Sequence, residues 1–385
     1  MKKYKTGIEK RSADMGDRAA WAADTAAKIE NKMRANAARN MGRVPYTSKN
    51  HIYDDKSSPN DICWWTNGFY AGLLWQLYNY TGEELFMDAA RASGSKLRSC
   101  LLDYAGMDHD SGFRFLPTFY ADYLFSGNEE CRNVFLLGAS NLAGRFNPAG
   151  NFIRAWNDWK DINGAGWTII DSMMNIPLLY ISSEVLGDDR FRNIAVRHAD
   201  TVMKNFIRED ASVRHIVEFD HKNGQMLLEY GGQGLGIGSS WSRGQSWAMY
   251  GFLLSYIHTG DEKYLETSKR VSDRFIERLP EGGIVPVDFD QPAGDIRRDE
   301  CAAAIAACAL IRLEKFVPGK GYGDAALKLL ERMDADCDYD PAHDEMLSHC
   351  TAAYHDEEYE FSMIYGDYFF TEAILALLDK DLMIW

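Results

Sequence analysis

Two aspartates are the residues whose type and setting are best suited to chemistry. Asp171 lies within residues 169–177 (Ile-Ile-Asp-Ser-Met-Met-Asn-Ile-Pro), an otherwise apolar stretch that predicts a helix. Asp is almost never buried without partners, so this side chain should face a satisfied polar network or a cavity. Asp110, in His-Asp-Ser-Gly-Phe (109–113), lies one predicted element earlier. Two carboxyl groups whose surroundings separate their pKa values are suited to general acid–base catalysis, as in reactions on sugars.

Other polar and aromatic residues stand near the starts of predicted helices. Trp241, Arg243 and Trp247 fall within one short segment, which could stack on a sugar ring and pair with a carboxylate, or simply pack between helices. His215 lies on a strand-like segment, where it is either a ligand contact or a satisfied histidine at the rim of the fold. Asp299 and Asp367 are interpreted as N-terminal caps of helices.

A repeated pattern of helix pairs predicts the scaffold that positions these residues. In each pair, a helix that is apolar on nearly all faces is followed by a glycine-centred turn and a helix with a charged face. The turns lie at residues 81–84, 126–128, 186–189, 259–262 and 318–319. A sixth inner helix covers 366–375, and its outer partner is the N-terminal helix around Arg18 to Asn36.

Six such pairs predict an all-α fold, an (α/α)6 barrel in which a closed ring of inner helices lies inside an outer ring. An open solenoid of helical repeats is the alternative. Segments 215–219 and 283–287 have strand-like character and predict short β ribbons at the barrel rim. Because the inner helices of the barrel start at one end, the polar residues at those starts should project into a single mouth.

Composition limits the classes of protein to be considered. No linker interrupts the 385-residue chain after about Asn60, so residues 1–385 are expected to form a single domain. A formal net charge of −15 argues against binding to nucleic acid or to an anionic membrane surface. The seven cysteines include no Cys-x-x-Cys motif, and no apolar run is long enough to span a membrane, which predicts a cytoplasmic protein. No metal-ligand spacing is present, so no metal or other cofactor is expected.

Seven motifs in order make the chain resemble the unsaturated glucuronyl hydrolases, glycoside hydrolase family 88. They are Trp-Thr-Asn-Gly-Phe (65–69), His-Asp-Ser-Gly-Phe (109–113), Ile-Asp-Ser-Met-Met-Asn (170–175), His-Ile-Val-Glu-Phe-Asp (215–220), Gln-Gly (233–234) with Trp-Ser-Arg-Gly-Gln-Ser-Trp (241–247), Arg-Asp-Glu-Cys-Ala-Ala-Ala-Ile (298–305) and Tyr-Gly-Asp-Tyr-Phe-Phe (365–370). The resemblance covers the chain from about Trp64 to Phe370. The family removes the 4,5-unsaturated uronic acid that polysaccharide lyases leave at the non-reducing end of oligosaccharides.

The resemblance implies roles for individual residues. Asp171 matches the general acid/base of the family, and Asp110 matches its partner carboxylate. The implied substrate contacts are one of the pair Trp64 and Trp65, together with His215, Gln233, Trp241, Arg243 and Trp247. Members that accept sulfated glycosaminoglycan fragments carry a Ser-x-x-Ser-x-Lys pattern near the C-terminus. Here the nearest match places Ser348 and Thr351 at the two hydroxyl positions but has no lysine, so a sulfate preference does not follow.

The implied chemistry is hydration of the C4=C5 double bond of an unsaturated uronic acid, without a cofactor. Asp171 would protonate C4, water would attack C5, and the resulting hemiketal would open and release the remaining saccharide. Related alternatives are an unsaturated rhamnogalacturonyl hydrolase acting on pectin fragments, a sugar epimerase or isomerase, and a non-catalytic saccharide-binding protein. The paired carboxylates favour the glucuronyl enzyme. An epimerase would require two opposed histidines, and His215 has no obvious partner in the sequence.

Overall fold

The structure is a computed structural model that describes residues 14–158 and 163–385. Its helices are α1 (Asp14–Arg39), α2 (Phe69–Thr81), α3 (Glu84–Gly94), α4 (Ser111–Phe115), α5 (Ala121–Ser126), α6 (Glu129–Gly144), α7 (Pro177–Leu186), α8 (Arg190–Phe206), α9 (Ser242–Thr259), α10 (Glu262–Arg278), α11 (Glu300–Phe316), α12 (Tyr322–Asp336) and α13 (Ile364–Leu377). Short 3-10 or π turns cover Trp65–Gly68, Ser95–Leu102, Leu116–Tyr120, Gly164–Gly166 and Ile170–Met174.

The helices form two concentric rings. The inner ring consists of α2, the α4–α5 run, the Ile170–Met174 turn with α7, α9, α11 and α13. Each inner element contacts the next, and α13 contacts α2, which closes the ring. The outer partners are α3, α6, α8, α10 and α12, and α1 packs on α13 as the outer helix of the sixth pair. The predicted (α/α)6 barrel is therefore confirmed, and the open solenoid is excluded because the first and last inner helices touch.

Inner and outer helices differ in burial as their sequences predict. Every residue of α11 from Glu300 to Leu313 is buried, so this helix has no solvent-facing side over that length. In α10, buried residues such as Tyr264 and Val271 form a single stripe, and charged residues such as Glu266 lie outside it. A helix that is apolar all round needs neighbours on every side, whereas a striped helix needs only one layer beneath it.

Glycine ends the first helix in four of the pairs. Gly82 and Gly260, which follow α2 and α9, have φ angles of 74° and 71° in the left-handed region. Gly127 and Gly187 follow α5 and α7 in the same conformation. A side chain with a Cβ atom is strained there by roughly 1 kcal/mol or more. These glycines end the inner helices at one end of the barrel and direct the chain outwards.

Short strands gather at the opposite end, around the mouth. Strands β1 (Ser48–Lys49) and β2 (Ile52–Tyr53) form one antiparallel hairpin, and β3 (Phe146–Asn147) and β4 (Phe152–Ile153) form a second. Strand β6 (Ile216–Phe219) is the centre of an antiparallel sheet between β5 (Trp167–Ile169) and β7 (Met226–Tyr230). The β ribbon predicted at 215–219 is therefore confirmed.

The prediction of a β ribbon at 283–287 is wrong. This segment makes only an isolated bridge between Pro286 and Arg298, and it belongs to no named strand among the described residues. The neighbours of Pro286 make the two hydrogen bonds of this bridge: Asp299 N–H donates to Val285 O at 2.9 Å, and Val287 N–H donates to Arg297 O at 3.3 Å. Within the described ranges, the pairing extends no further. The segment also contacts the start of α9, because Val287 O accepts the backbone N–H of Ser242 at 3.0 Å.

The element that carries Asp171 also differs from the prediction. The apolar stretch around it is not one helix: β5 ends at Ile169, a 3-10 turn covers Ile170–Met174, and α7 begins only at Pro177. Proline is favoured at the first position of a helix, which fits the start of α7 at Pro177. Asp171 therefore lies on a tight turn at the mouth. No helix in the described ranges is long and apolar enough to cross a membrane.

Candidate active site

The mouth of the barrel brings together residues from the starts of several inner elements. Asp110 directly precedes α4 and makes no side-chain capping bond to it, so its carboxylate is available for other contacts. Asp171 lies on the turn before α7, and Trp241 precedes α9. The sheet of β5, β6 and β7 adds His215, whose backbone O accepts the N–H of Ile170 at 3.1 Å. The convergence expected from the sequence is thus present for Asp110, Asp171 and Trp241, and His215 joins them from the sheet.

Asp171 has the properties of a group that can both give and take a proton. The residue is 9% exposed, and its Oδ1 atom is buried without a hydrogen-bond partner among the described residues. Burial raises the pKa of Asp171 to about 7, with the charge of Asp110 adding to the rise and His109 and Arg243 opposing it. A carboxyl group with its pKa in this range can hold a proton near neutral pH and can also release it.

Asp110 is held by neighbours on two sides. Asn175 donates from Nδ2 to Asp110 Oδ1 at 2.9 Å, and His109 Nε2 lies 3.3 Å from the same oxygen. Burial, followed by the charge of Asp108, raises the pKa of Asp110 well above its usual value, while Arg114 and the Asn175 amide oppose the rise. Arg114 in turn pairs with Asp108 at 2.8 Å. Both carboxyl groups of the predicted pair thus bind protons more readily than ordinary aspartates.

His109 lies beside Asp110 and is held through its other ring nitrogen. His109 Nδ1 lies 3.1 Å from the backbone O of Ala155, which can only accept, so this ring nitrogen carries a hydrogen. Burial lowers the pKa of His109, and in the neutral ring Nε2 is an acceptor. Nε2 faces the carboxyl group of Asp110, with 3.3 Å between Nε2 and Asp110 Oδ1. No sequence signal indicated that His109 borders the site, although it is adjacent to Asp110 in the same motif.

His215 faces Asp171 from the sheet. Its Nδ1 atom lies 3.0 Å from the backbone N of Gln233 and 3.2 Å from Gly231 O. Because the amide hydrogen of Gln233 is fixed and points at Nδ1, we assign Nδ1 as the acceptor and Nε2 as the nitrogen that carries hydrogen. Burial lowers the pKa of His215 to about 3, so the ring is neutral at physiological pH. Its Nε2 atom is a buried donor 4.0 Å from Asp171 Oδ1.

Arg243 is engaged by the protein itself. Its guanidinium forms an ion pair with buried Asp299 and donates to Thr351 O at 2.9 Å and Ala352 O at 2.5 Å. The carboxylate that pairs with Arg243 in this structure is therefore that of Asp299. Asp299 also caps α11, as predicted, by accepting the backbone N–H of Cys301 at 3.1 Å. Contact between Arg243 and a substrate stays a prediction.

The tryptophans expected to form an aromatic cleft expose very little surface. Trp241 is 2% exposed, with the His215 ring 4.1 Å and the Arg243 guanidinium 4.6 Å from its ring centre. Trp247 is fully buried and packs on Phe113. The indole Nε1 atoms of both tryptophans are buried without a partner among the described residues. Trp241 borders the site beside His215, whereas Trp247 is packed in the hydrophobic core. Their roles as substrate contacts remain predictions.

The two tryptophans of the first inner element point in different directions. Trp65 is half-buried and lies between Tyr365 and Phe113, at ring distances of 4.8 and 5.6 Å. Trp64 is 43% exposed and meets Tyr46 edge to face at 5.5 Å. Trp65 thus belongs to the inner wall, and Trp64 lies at the rim.

Residues 348–354, here called the wall segment, border the site on the side of Arg243. Gln233 Nε2 donates to Ala352 O at 2.8 Å, which ties the segment to the loop after β7. Thr351 is buried, and its hydroxyl donates to Arg298 O at 2.8 Å and accepts the N–H of Glu360 at 3.3 Å. Ser348 is half-buried. The Thr351 hydroxyl is therefore committed to holding the segment.

Asp367 does not cap α13 as predicted. It lies within the helix and accepts the backbone N–H groups of Met346 and Leu347 at 3.1 and 2.8 Å, and the hydroxyl of Tyr53 at 3.1 Å. These contacts fix the chain just before the wall segment, so this buried acid supports the site from outside it.

A cavity of about 440 Å³ lies beside Asp108, next to the acid pair. Its lining includes Trp156 and Trp167, and the ring of Trp156 also meets His109 edge to face at 5.6 Å. Space lined by indole rings and carboxylates is suited to a sugar. No sequence signal indicated these two tryptophans, because they lie outside the seven motifs.

Comparisons with known proteins point to one group of enzymes. No family model matches the chain. It is 33% identical over 342 residues to an unsaturated glucuronyl hydrolase of Bacillus sp. (strain GL1), covering 85% of this chain and 90% of that protein. It is 31% identical over 331 residues to an unsaturated chondroitin disaccharide hydrolase of Streptococcus pneumoniae, covering 83% of each.

Solved structures agree with the sequence comparisons. The crystal structure of the unsaturated glucuronyl hydrolase from Bacillus sp. GL1, described as responsible for the degradation of glycosaminoglycan, has a TM-score of 0.83 at 29% identity, covering 92% of this chain and 95% of that one. An unsaturated glucuronyl hydrolase specific for heparin gives 0.84 at 28% identity, covering 93% and 97%. A Streptococcus agalactiae enzyme complexed with dGlcA-GalNAc6S gives 0.79 at 25% identity, covering 94% and 93%.

Proposed function

This chain belongs to the unsaturated glucuronyl hydrolases, and from that membership we propose that it removes 4,5-unsaturated glucuronic acid from the non-reducing end of glycosaminoglycan-type fragments. The observation that carries the proposal is Asp171, a buried carboxyl group at the barrel mouth with a pKa of about 7 and one oxygen that has no hydrogen-bond partner in residues 14–158 and 163–385. A group in this state can protonate a carbon atom at neutral pH and afterwards accept a proton from water.

The reaction begins with proton transfer from Asp171 to C4 of the unsaturated sugar. The C4=C5 electrons form the new C4–H bond, and the ring oxygen stabilises the positive charge that develops at C5. Asp171 is then ionised, and it accepts a proton from the water that attacks C5. The product is a hemiketal at C5, and Asp171 has regained its proton.

Release of the remaining saccharide follows from the instability of this hemiketal. The bond between C5 and the ring oxygen breaks as a ketone forms at C5, and the ring oxygen becomes a hydroxyl on C1. C1 then carries both a hydroxyl and the glycosidic oxygen, and this hemiacetal collapses to an aldehyde and the free leaving sugar. This series of reaction steps differs from ordinary glycoside hydrolysis, in which two carboxylates promote displacement at the anomeric carbon C1.

His215 and Asp110 support the reaction from opposite sides. The neutral His215 ring offers its Nε2 hydrogen near Asp171, where it can hold the attacking water or a substrate oxygen. We assign Asp110 the role of binding sugar hydroxyls and of keeping the proton affinity of Asp171 high through its charge. No step requires a metal or another cofactor.

Features of the wall segment support a preference for unsulfated leaving sugars. Thr351, at the second hydroxyl position of the Ser-x-x-Ser-x-Lys pattern, uses its hydroxyl within the protein. Ala353 stands where that pattern has lysine, so no cation is available at that position to pair with a sulfate. An unsulfated chondroitin disaccharide should therefore be cleaved with a higher kcat/KM than its 6-sulfated counterpart.

The decisive experiment follows the ultraviolet absorbance of the conjugated double bond in an unsaturated chondroitin disaccharide. Hydration removes the conjugation, so the absorbance falls with time if the proposal is correct. A saccharide-binding protein would leave the absorbance unchanged, and so would an epimerase. The relatives support the glucuronyl enzyme over one acting on pectin fragments, and an unsaturated rhamnogalacturonide serves as the control substrate. A cytoplasmic location stays a prediction, based on seven free thiols within the described residues.

A further inference from the structure

Asn175 joins the two carboxyl-bearing elements through a single side-chain amide. It ends the turn that carries Asp171 and is completely buried. Its Nδ2 atom donates to Asp110 Oδ1 at 2.9 Å and lies 3.3 Å from the backbone O of Asp171. Its Oδ1 atom accepts the backbone N–H of Phe113, in α4, at 2.8 Å. One amide thus contacts both catalytic aspartates and the helix behind one of them.

The backbone around Asn175 leaves this amide little freedom to move. A Cβ atom placed on Gly112 would lie 2.5 Å from the Asn175 Cα, so α4 and the turn pack main chain against main chain. Because Oδ1 is fixed by the N–H of Phe113, the amide cannot flip, and Nδ2 must face Asp110. The Asn175 amide thus uses both hydrogens of Nδ2 as donors and its Oδ1 atom as an acceptor.

We infer that Asn175 is a positioning residue that fixes the carboxylate of Asp110 relative to Asp171 by donating to Asp110 Oδ1. The inference rests on the proposed function, because that function gives both aspartates their catalytic roles. Asn175 itself is too deeply buried to touch a substrate. Its donor stabilises the ionised form of Asp110 and orients the carboxylate towards the mouth.

The other charged groups around Asp110 cannot replace this donor. Asp108 repels a charge on Asp110, and Arg114 is already paired with Asp108. Arg145 also favours a charge on Asp110, but its guanidinium donates to main-chain oxygens instead. His109 offers a hydrogen from Nε2 only when its ring is protonated, since Nδ1 is committed to the carbonyl of Ala155. Asp171 adds a further negative charge when it is ionised. Among these neighbours, Asn175 is the one that donates a hydrogen bond to Asp110 at every pH, because its amide group does not titrate.

Replacement by alanine, compared with a matched control, separates positioning from packing. In Asn175→Ala, kcat should fall by roughly ten- to a hundredfold, the loss expected for one hydrogen bond to a charged group, while KM changes little. The acid limb of the kcat/KM profile should move to higher pH, because Asp110 ionises less readily without its donor. Asn36→Ala is the control: Asn36 is equally buried and makes hydrogen bonds to Asp344 O and Tyr70, away from the aspartates.

Replacement by aspartate keeps the shape and makes the donor depend on pH. A protonated acid at position 175 can donate to Asp110, whereas an ionised one repels it. We expect Asn175→Asp to approach wild-type kcat at acidic pH and to lose activity as the pH rises, with a melting temperature above the assay temperature throughout. Equal loss at every pH, an unshifted profile in Asn175→Ala, or failure of the isosteric variant to fold would each overturn the inference. An inactive wild-type protein would instead refute the proposed function.

Discussion

The Nε2 atom of His215 lies 4.0 Å from the Oδ1 atom of Asp171, and both atoms are buried without a hydrogen-bond partner among the described residues. Unpaired buried polar atoms cost free energy, so two of them facing one another mark a position where a ligand or water completes the contacts. The gap is too long for a direct hydrogen bond but can admit an oxygen atom near both groups. This gives the water of the proposed hydration a place between its acceptor and a fixed donor.

Replacing the proton donor should abolish turnover without unfolding the protein. In Asp171→Asn, the amide keeps the shape of the side chain but cannot transfer a proton, so kcat should fall by about 10²–10⁴-fold. The loss should lie near the upper end because Asp171 serves both protonation and water activation. Absorbance assays measure kcat, and calorimetry measures disaccharide binding. Retention of more than about a tenth of wild-type kcat would contradict the assignment.

The Asp110→Asn variant tests whether the charge of Asp110 raises the pKa of Asp171. The charge of Asp110 raises the pKa of Asp171, so a neutral amide should lower that pKa from its value of about 7. Asp171 must be protonated to act as an acid, and the alkaline limb of the kcat profile should therefore move to lower pH. We expect kcat itself to fall by about 10²-fold. A weakly active variant with an unshifted alkaline limb would reduce Asp110 to a hydrogen-bonding role.

The buried neutral state of His215 should make the fold sensitive to acid. Burial lowers the pKa of His215 to about 3, from a model-compound value of 6.5. Between these pH values the unfolded chain binds a proton that the folded chain does not, so this residue lowers the free energy of unfolding as pH falls. The contribution is up to about 1.4 kcal/mol per pH unit.

Denaturant titrations of the wild type and His215→Gln at pH 7 and pH 5 measure this contribution. Between pH 7 and pH 5 the variant should lose less stability than the wild type, because glutamine has no proton to gain. Comparing the two proteins cancels the effect of other groups, including Asp367, whose pKa burial raises to about 7. Equal losses in both proteins would show that His215 is not held neutral.

Isotope incorporation distinguishes hydration from displacement. In deuterated water, the product should carry one deuterium at C4 with a single facial preference, because Asp171 is fixed on one side of the sugar. In water labelled with heavy oxygen, the oxygen label should appear at C5, whereas displacement at the anomeric carbon would place it on C1. Saturated glucuronides should be inert because they lack the double bond. Nuclear magnetic resonance of the product detects both labels, and a product without deuterium at C4 would exclude the mechanism.

The sequence was sufficient to predict the barrel because its signals are local. Each glycine turn and each stretch of apolar helix can be recognised within a few residues, as at Gly82 and Gly260. Local signals were misleading where short elements compete: the apolar stretch around Asp171 is divided among a strand, a turn and a helix that starts at Pro177. Apolarity alone does not distinguish a buried strand from a buried helix.

The details of the site depend on contacts between distant segments, which a single sequence does not display. Asp299, the partner of Arg243, is 56 residues away, and Asn175 is 65 residues from Asp110. Asn175 had one sequence signal, its position four residues after Asp171 in the same motif. No comparable signal marked the committed hydroxyl of Thr351, because hydrogen bonding depends on where the chain folds back.

The wall segment is held mainly through its main chain, which affects how specificity can change. Arg243 binds the carbonyls of Thr351 and Ala352, and Gln233 binds the carbonyl of Ala352 and, through its own carbonyl, the N–H of Tyr354. Main-chain atoms are the same whichever residue supplies them, so side chains at positions such as 348, 352 and 353 can be exchanged without releasing the segment. Natural divergence or directed evolution can therefore alter the preferred leaving sugar here while the catalytic carboxyl groups remain undisturbed.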